Sequence, residues 1–421
     1  MQDAAKWDWT VGRRSIADLS KWREAYSYIE EPFVSPDGEK AAAVVRNEDM
    51  EFTIMENATA WEETFDKAWN LRYAPDGRLT AIVSDTGEWT LAADGEMWEE
   101  RFDFLWNGRF SAEGSNLAAM AQREGEYCGV VNGVPWDTMY MAMTDFTCSP
   151  DASHTAGVVQ TVGFGQADIY TFQSGCYTVA VDGKAWDQNF VNCWEPAFSA
   201  DGKTVAAQAR TSLYDYTIVV NGKPWQGSWS SVWRPAVSPV DGSVIAPVKL
   251  PKGWTLLKDG KPFWSRHYAQ LWHMQYSANG HKIAGIAATR YGKWTVVVGD
   301  KPWKRTFNDL VTDLVLSRDG AHAACVGKED GKWTVAVDGA AWEIAADMAY
   351  APVFSPDGRT VAARMEQDKR QFIMVNGKRM KENFPKAYDP IFSEDGKYLL
   401  LRAVNDDEQV VRLVTPVADI R

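Results

Sequence analysis

Hydrophobic and polar positions alternate along this chain in short runs, and each run ends in a tight turn. The segment 216–225 reads Tyr-Thr-Ile-Val-Val-Asn-Gly-Lys-Pro-Trp, and similar segments begin at Tyr177, Trp254, Trp294 and Trp333. A period of two predicts half-buried strands, and an Asn-Gly or Asp-Gly pair between two runs predicts a type I′ turn. Each copy is therefore predicted to form a β-hairpin.

A second hairpin signal accompanies the first. The motif Phe-Ser-Pro-Asp-Gly, or a variant of it, ends at positions 38, 77, 114, 152, 202, 242, 280, 320, 358 and 396. The final glycine of this turn, as at Gly358, is expected to adopt a positive φ. Two hairpins per unit give four strands, and a four-stranded unit that recurs about every 39 residues is typical of a β-propeller.

The two ends of the chain are predicted to complete one blade together. Residues 9–38 resemble the second half of a unit, and the residues after Gly396 resemble the first half. The sequence therefore predicts an all-β propeller of about ten four-stranded blades, closed by pairing of N- and C-terminal strands, which would leave no exposed strand edge. Ten blades exceed the usual number in one ring, so two smaller propellers in tandem are the alternative.

The repeats are predicted to form one continuous array over residues 1–421. The fourth repeat is irregular, because it carries about ten extra residues, at about 160–175, that are rich in glycine and aromatic residues. Insertions in repeat arrays lie in loops on one face, often the binding face, whereas a longer hairpin is the simpler interpretation.

The 21 tryptophans also follow the repeat. One series comes after the second turn of each unit: Trp61, Trp98, Trp136, Trp186, Trp225, Trp264, Trp303 and Trp342. A second series lies eight residues further on: Trp69, Trp106, Trp194, Trp233, Trp272, Tyr350 and Tyr388. A third series starts the alternating strand: Trp9, Trp89, Trp254, Trp294 and Trp333, with Tyr177 and Tyr216 in two units.

Recurrence at a fixed position of the repeat favours packing between blades over ligand binding, since a binding site needs only one or two copies. Trp342 is accordingly predicted to lie between neighbouring blades with its flat faces buried. Trp7, Trp22 and Trp229 fall outside the three series, and they are predicted to lie on the surface as the better candidates for binding.

Charge and hydropathy narrow the classes of function. The net charge of −13 and the sequence pI of about 5.0 argue against binding of nucleic acid or anionic lipid, which needs a surface of positive potential. The chain shows no apolar signal segment and no run of about 20 apolar residues, so it is expected to be cytoplasmic and to have no membrane span.

Motifs for catalysis and cofactor binding are not found in the sequence. The cysteines, Cys128, Cys148, Cys176, Cys193 and Cys325, are widely spaced and are expected to be buried apolar residues. His267, His273 and His281 are expected on different faces and not at one metal site. We therefore predict no catalytic, cofactor-binding or metal-ligating residue, although a pair of glycosidase carboxylates would leave no linear motif.

The units at Phe33, Phe354 and Phe392 resemble the WD40-like repeats of TolB-type propellers, over residues 31–404. Because the motif serves many functions, it specifies only the fold. Together with the length and the tryptophan content, the whole chain resembles the TmcD family, the tryptophan-rich subunits of the Tmc transmembrane redox complex of sulfate-reducing bacteria. The resemblance implies partners: a membrane cytochrome b, an iron-sulfur subunit and a multihaem cytochrome.

The expected function is that of a non-catalytic interaction or scaffold subunit in a membrane-associated electron-transfer complex. Such a subunit would bind no cofactor itself and would lie in the cytoplasm or at the periphery of the inner membrane. The alternative, suggested by the many aromatic and acidic residues, is a carbohydrate-binding or carbohydrate-cleaving propeller.

Overall fold

Ten antiparallel sheets form one ring in the computed structural model, which describes residues 4–166 and 168–420. Nine sheets have the strand order first, second, third, fourth along the chain, the tenth takes its fourth strand from the N-terminal segment, and each sheet is one blade of the ring. The predicted all-β, ten-bladed propeller is thereby confirmed, and the alternative of two smaller propellers is not.

The first strands are continuous in some blades and split in others. In blades 1 to 10 they are Tyr28–Ile29 with Phe33–Val34, Lys67–Tyr73, Phe104–Phe110, Met143–Cys148, Asn192–Phe198, Ala236–Val237, Gln270–Tyr276, Leu310–Leu316, Met348–Ala349 with Val353–Phe354, and Lys386–Ala387 with Ile391–Phe392. The second strands are Ala41–Arg46, Leu79–Asp85, Leu117–Arg123, Thr155–Gln160, Val205–Arg210, Val244–Leu250, Ile283–Arg290, Ala323–Glu329, Val361–Gln367 and Tyr398–Val404.

The third strands carry the alternating motif of the sequence. They are Phe52–Glu56, Glu88–Ala93, Glu126–Val131, Tyr177–Val181, Tyr216–Val220, Gly253–Lys258, Lys293–Val298, Lys332–Val337, Arg370–Val375 and Gln409–Pro416. Eight fourth strands have only two residues: Thr59–Ala60, Glu96–Met97, Val134–Pro135, Lys184–Ala185, Lys223–Pro224, Lys261–Pro262, Lys301–Pro302 and Ala340–Ala341. The fourth strands of blades 9 and 10 are longer, Lys378–Phe384 and Gly12–Asp18.

The first strand of each blade faces the centre of the ring. First strands of neighbouring blades contact one another, as in blades 4 and 5, and they also pack on the second and third strands of the preceding blade. The fourth strands make no comparable contacts with each other among the described residues. Because blades diverge with distance from the axis of a ring, the strands that approach most closely are the inner ones.

The ring closes in blade 10, where Gly12–Asp18 pairs antiparallel with Gln409–Pro416. Closure by the two ends of the chain is therefore confirmed, but the predicted division into two halves is wrong. The C-terminal segment supplies three strands of this blade and the N-terminal segment supplies one. Trp9 accordingly precedes a fourth strand, so its place in the series that starts third strands is also wrong.

Two α-helices lie outside the blades. Leu19–Ala25 follows the closing strand, and the Asp18 carboxylate caps it by accepting a hydrogen bond from the Ser20 amide at 3.1 Å. Ile169–Ser174 lies in the insertion of blade 4, between the second and third strands. Two single 3₁₀ turns, Ala4–Lys6 and Val417–Asp419, complete the regular structure of the described ranges.

Both turn types have the predicted backbone conformations. Asn221 and Gly222, at φ of 46° and 77°, both lie in the left-handed region, as a type I′ turn requires. Gly358 of the other turn has φ of 74°. In that turn the Ser355 hydroxyl donates to Asp357 Oδ1 at 2.6 Å, and the same oxygen accepts from the Arg359 amide at 3.1 Å. The aspartate is therefore a turn former, as expected.

Valine in place of Gly358 is expected to lower the free energy of unfolding by about 1–2 kcal/mol, because a β-branched residue is forced to positive φ. A Cβ atom there would also lie 3.1 Å from Ser317 Cβ of the preceding blade. Gly331 is the matched control for backbone strain alone, because its φ is 77° and a Cβ atom there would meet nothing within 4 Å. Urea denaturation measures both variants, and an unchanged midpoint for Gly358→Val would contradict the turn assignment.

The first tryptophan series joins neighbouring blades. Trp98, Trp136, Trp186, Trp225, Trp303 and Trp342 each lie against the turn glycine of the next blade, where a Cβ atom would come within 3.0–3.4 Å of the tryptophan side chain. The predicted packing between blades is confirmed. Full burial is not general: Trp136 and Trp264 are 8% and 6% exposed, whereas Trp342 is only half-buried.

The tryptophans outside the series are not free surface residues. Trp22 is 3% exposed, and its indole Nε1 donates to the Asn57 carbonyl at 2.8 Å. Trp229 is half-buried, and its backbone pairs with Tyr216 through two hydrogen bonds of 2.8 Å. The surface predictions for these two residues are wrong. Trp7 is half-buried as well and stacks on Trp9, with ring centroids 6.0 Å apart.

Trp229 belongs to a further aromatic series that the sequence pattern did not reveal. In other blades the same backbone position, opposite the start of the third strand, is held by Phe65, Phe102, Tyr140, Phe190, Tyr268 and Phe307. All six of these residues are buried. The series therefore anchors the outer edge of a blade to its third strand.

Candidate interaction face

Pairs of aromatic side chains mark one face of the ring. They join the third strand to the first strand, or in blade 6 to the segment just before it: Tyr28–Phe52, Trp69–Trp89, Trp106–Tyr127, Trp194–Tyr216, Trp233–Trp254 and Trp272–Trp294. The ring centroids are 4.7 Å apart in the closest pair, Trp272–Trp294, and 6.5 Å apart in the widest. First and third strands run in the same direction, so their starts lie at one end of every blade. We call this end, with the turns between second and third strands, the aromatic face.

In the four of these blades whose first strand is continuous, a β-bulge positions the aromatic residue of that strand. Directly after the aromatic residue, Asn70, Asn107, Glu195 and His273 adopt φ between 49° and 57°, and the register with the second strand shifts. Bulges of this kind bend the strand and redirect its side chains. Trp69, Trp106, Trp194 and Trp272 of the second tryptophan series are therefore positioned by a repeated bulge of the backbone.

Exposed apolar side chains concentrate on the same face. Of the 18 large hydrophobic residues that are exposed in the described ranges, 13 lie at this end of the blades: Tyr28, Met50, Trp69, Phe104, Met141, Phe164, Ile169, Tyr170, Leu213, Tyr214, Trp233, Tyr291 and Met348. Large apolar patches on a protein surface mark contact sites for partners or ligands. The aromatic face is accordingly the candidate functional surface.

The insertion of blade 4 adds to this face, because it connects the second and third strands. Tyr170 is 81% exposed there, and Ile169 is 56% exposed. Phe164 and Phe172 pack against each other within the insertion, at 5.7 Å between ring centroids. The extra residues therefore form a small folded projection with an apolar surface, and not only a longer hairpin.

A cavity of about 510 Å³ opens on the aromatic face between blades 7 and 8. The Trp272–Trp294 pair lines it, together with Tyr291, Asn308 and Asp309. Gln270 also lines it, and its Oε1 atom is buried with no hydrogen-bond partner among the described residues. A pair of closely packed aromatic rings, tilted by 32°, beside an unused acceptor can hold a ring that carries hydroxyl groups.

The cysteines and histidines form no reactive cluster in the described part of the chain. Cys128, Cys176, Cys193 and Cys325 are buried, and burial raises the pKa of the Cys128 thiol to about 11 and that of Cys325 to about 12. His267, His273 and His281 lie on a connection, a first strand and a turn. Within residues 4–166 and 168–420 no group of three or more His, Cys, Asp or Glu side chains has metal-binding geometry.

The carboxylates of the other face serve the turns. Hydrogen bonds from the Ser149 and Ser153 hydroxyls lower the pKa of Asp151 to about 2. The Ser393 hydroxyl and the Lys397 amide do the same for Asp395, whose pKa is also about 2. Both groups therefore stay ionised at neutral pH and hold the backbone of the turn.

Comparison with known proteins shows no family for this chain. No model of a protein family matches the chain, and no curated protein matches it. A solved structure titled "Crystal structure of the eukaryotic initiation factor" is similar over 87% of this chain and 90% of that chain, at 13% identity and a TM-score of 0.47. The ring of ten sheets and its exposed aromatic side chains define the class: a ten-bladed β-propeller with one apolar face.

The helices of this propeller are short. None of those in the described ranges is long and apolar enough to cross a bilayer.

Proposed function

We propose that this chain is a non-catalytic interaction subunit of a membrane-associated electron-transfer complex, and that the aromatic face is where its partner proteins dock. The observation that carries the proposal is the concentration on that face of 13 of the 18 exposed large hydrophobic residues that the structure describes. Aromatic residues are enriched at the centres of protein interfaces, where a few of them supply most of the binding free energy.

The partners follow from the resemblance to tryptophan-rich redox-complex subunits. They are a membrane cytochrome b, an iron-sulfur subunit and a multihaem cytochrome, with the propeller on the cytoplasmic side. The role assigned to the propeller is to hold these subunits together, while the redox groups belong to the partners. Stoichiometric haem, flavin or iron in the purified chain would contradict this assignment.

The docking test uses exposed residues of two neighbouring blades. Tyr170→Ser and Tyr214→Ser change side chains that are 81% and 77% exposed on the aromatic face. Combined, they are expected to weaken co-purification with the detergent-solubilised complex by about tenfold or more, as for interface hot spots. Val134→Ser and Val240→Ser, at 69% and 70% exposure on the opposite face, are the matched control and should change nothing. Equal effects from both pairs would contradict docking through the aromatic face.

A second candidate function is binding of carbohydrate in the cavity between blades 7 and 8. The Trp272–Trp294 pair and the unpartnered Gln270 Oε1 favour it, because saccharide rings stack on aromatic side chains and offer hydroxyl donors. A glycan array with the wild type and with Gln270→Leu tests it. Binding that Gln270→Leu abolishes would support this candidate, and an array without a hit would remove it.

A further inference from the structure

Charge is divided unequally around the ring. Residues 28–140, which form blades 1 to 3, contain 23 Asp and Glu but only 8 Lys and Arg, a net charge of −15. Residues 229–308, which form blades 6 and 7, contain 3 Asp and Glu but 12 Lys and Arg, a net charge of +9. In a closed ring of ten blades, blade 2 lies opposite blade 7. The protein therefore carries a charge dipole across its diameter, although its net charge is −13.

Most of the cations in blades 6 and 7 lack an acidic partner. Among the described residues, only Lys258 and Arg305 of these twelve have a carboxylate oxygen within 4.0 Å, from Asp241 and Glu329. Lys252 is exposed at a turn of the aromatic face, Arg290 at the end of the second strand that leads to this face, and Lys304 in the connection from blade 7 to blade 8. Positive side chains held without counter-charges produce a strong local potential that attracts a polyanionic surface.

The cations cover the thickness of the ring and not only one face. Lys261 and Lys301 lie on the outer fourth strands of the two blades, and Lys282 lies at a turn of the opposite face. Exposed aromatic residues stand among them: Tyr291 is fully exposed at the tip of a turn in blade 7, and Phe263 is 47% exposed beside a fourth strand. We call this rim of blades 6 and 7 the basic rim.

We propose that the basic rim binds the surface of an anionic lipid bilayer and orients the propeller edge-on to it. The occupant is a bilayer because the cations are scattered and unconstrained by ion pairs, and mobile anionic headgroups can rearrange to meet them. Each Lys or Arg near an anionic surface adds to the attraction, and aromatic side chains prefer the headgroup region. The choice of a bilayer over another polyanion rests on the proposed membrane association.

The acidic blades determine the orientation. A flat approach of the whole aromatic face would bring blades 1 to 3 against anionic lipid, and like charges repel at distances within the Debye length, about 8 Å at physiological salt. Edge-on binding keeps those blades on the far side, in water. The aromatic face then stands perpendicular to the bilayer and stays open to protein partners.

Vesicle co-sedimentation of the purified chain tests the proposal. We expect binding to vesicles made of equal parts phosphatidylglycerol and phosphatidylcholine, weakening as salt is raised, and no binding to phosphatidylcholine alone. The variant Lys252→Gln, Arg290→Gln, Lys304→Gln should bind on the order of 100-fold more weakly at low salt. A control variant removes the same charge from exposed fourth-strand positions of blades 4, 5 and 9, through Lys184→Gln, Lys223→Gln and Lys378→Gln. It should bind like the wild type.

Several results would overturn the basic rim as a lipid surface. Absence of binding to the anionic vesicles would do so, and so would equal losses in the two triple variants. Tighter binding to single-stranded oligonucleotide or to polyglutamate than to vesicles, at matched anionic charge, would assign the rim to another polyanion. These results are independent of the Tyr170 and Tyr214 docking test, which contains detergent and no bilayer, so the two proposals can fail separately.

Discussion

Alanine in place of Trp136 is expected to lower the free energy of unfolding by about 3–5 kcal/mol, the range for deletion of a large aromatic side chain from a packed core. Trp136 follows the second turn of blade 3 and is 8% exposed. Its indole Nε1 donates to Thr155 Oγ1 of blade 4 at 2.8 Å, and its ring meets Tyr140 edge-to-face at 6.4 Å. The substitution removes these contacts and leaves a cavity between two blades.

The close approach of backbone to this ring limits how far the cavity can collapse. Gly129 lies so near that a Cβ atom there would be 2.6 Å from Trp136, and the turn at Gly183 packs on its other side. Neither strand can move inward without breaking its ladder of hydrogen bonds, so most of the cavity should remain.

Urea denaturation followed by far-ultraviolet circular dichroism measures the loss. The control is Tyr291→Ala, because Tyr291 is fully exposed and its removal should change the free energy of unfolding by no more than about 0.5 kcal/mol. Small and equal losses for the two variants would mean that the first tryptophan series does not hold the blades together.

The repeats made the fold predictable, because turn chemistry and strand periodicity are local. Asn221-Gly222 and the turn at Gly358 encode their own conformations, and their spacing counts the blades. The division of blade 10 was not predictable in the same way. Whether the N-terminal segment supplies one strand or two depends on where Leu19–Ala25 interrupts it, and that helix has no counterpart in the other repeats that the structure describes.

The position of Trp229 was predicted wrongly because the repeat was traced through tryptophan alone and not through aromatic residues in general. Four residues after Trp61, Trp98, Trp136 and Trp225 come Phe65, Phe102, Tyr140 and Trp229, so the signal was a tryptophan followed by any aromatic. All of these later residues meet the start of a third strand, where burial and not indole chemistry matters. Trp22 is a different case, because a single helix that packs onto blade 1 leaves no periodic signal.

The aromatic face and the basic rim needed the three-dimensional arrangement. Trp272 and Trp294 are 22 residues apart, and only the bulge at His273 and the crossing of the second strand bring their rings to 4.7 Å. The net charge, which disfavours anionic lipid, is an average over the whole chain. That average conceals that residues 28–140 and 229–308 carry opposite charge and lie on opposite sides once the ring closes.

Methionine in place of Arg402 is expected to lower the free energy of unfolding by about 3–5 kcal/mol, since breaking a buried charged hydrogen-bond network leaves its acceptors unsatisfied. Arg402 lies on the second strand of blade 10 and is 9% exposed. Its guanidinium donates to the carbonyls of Ser35 in blade 1, at 3.1 Å, and of Asp389, at 2.9 Å. Burial lowers its pKa to about 10, so the side chain stays charged at neutral pH and binds carbonyls as a cation.

This arginine lies where the first and last blades meet, so its loss should act on closure in particular. Amides of residues 409–414, which pair with the N-terminal strand, should then exchange with deuterium faster than amides of third strands elsewhere in the ring. The control is Arg359→Met, at an exposed position of a turn, which should leave both stability and exchange unchanged. Destabilisation by Arg402→Met with an equal rise of exchange in all blades would contradict this expectation. The arginine would then stabilise the ring as a whole, and the junction of blades 10 and 1 would not be the weakest point of the ring.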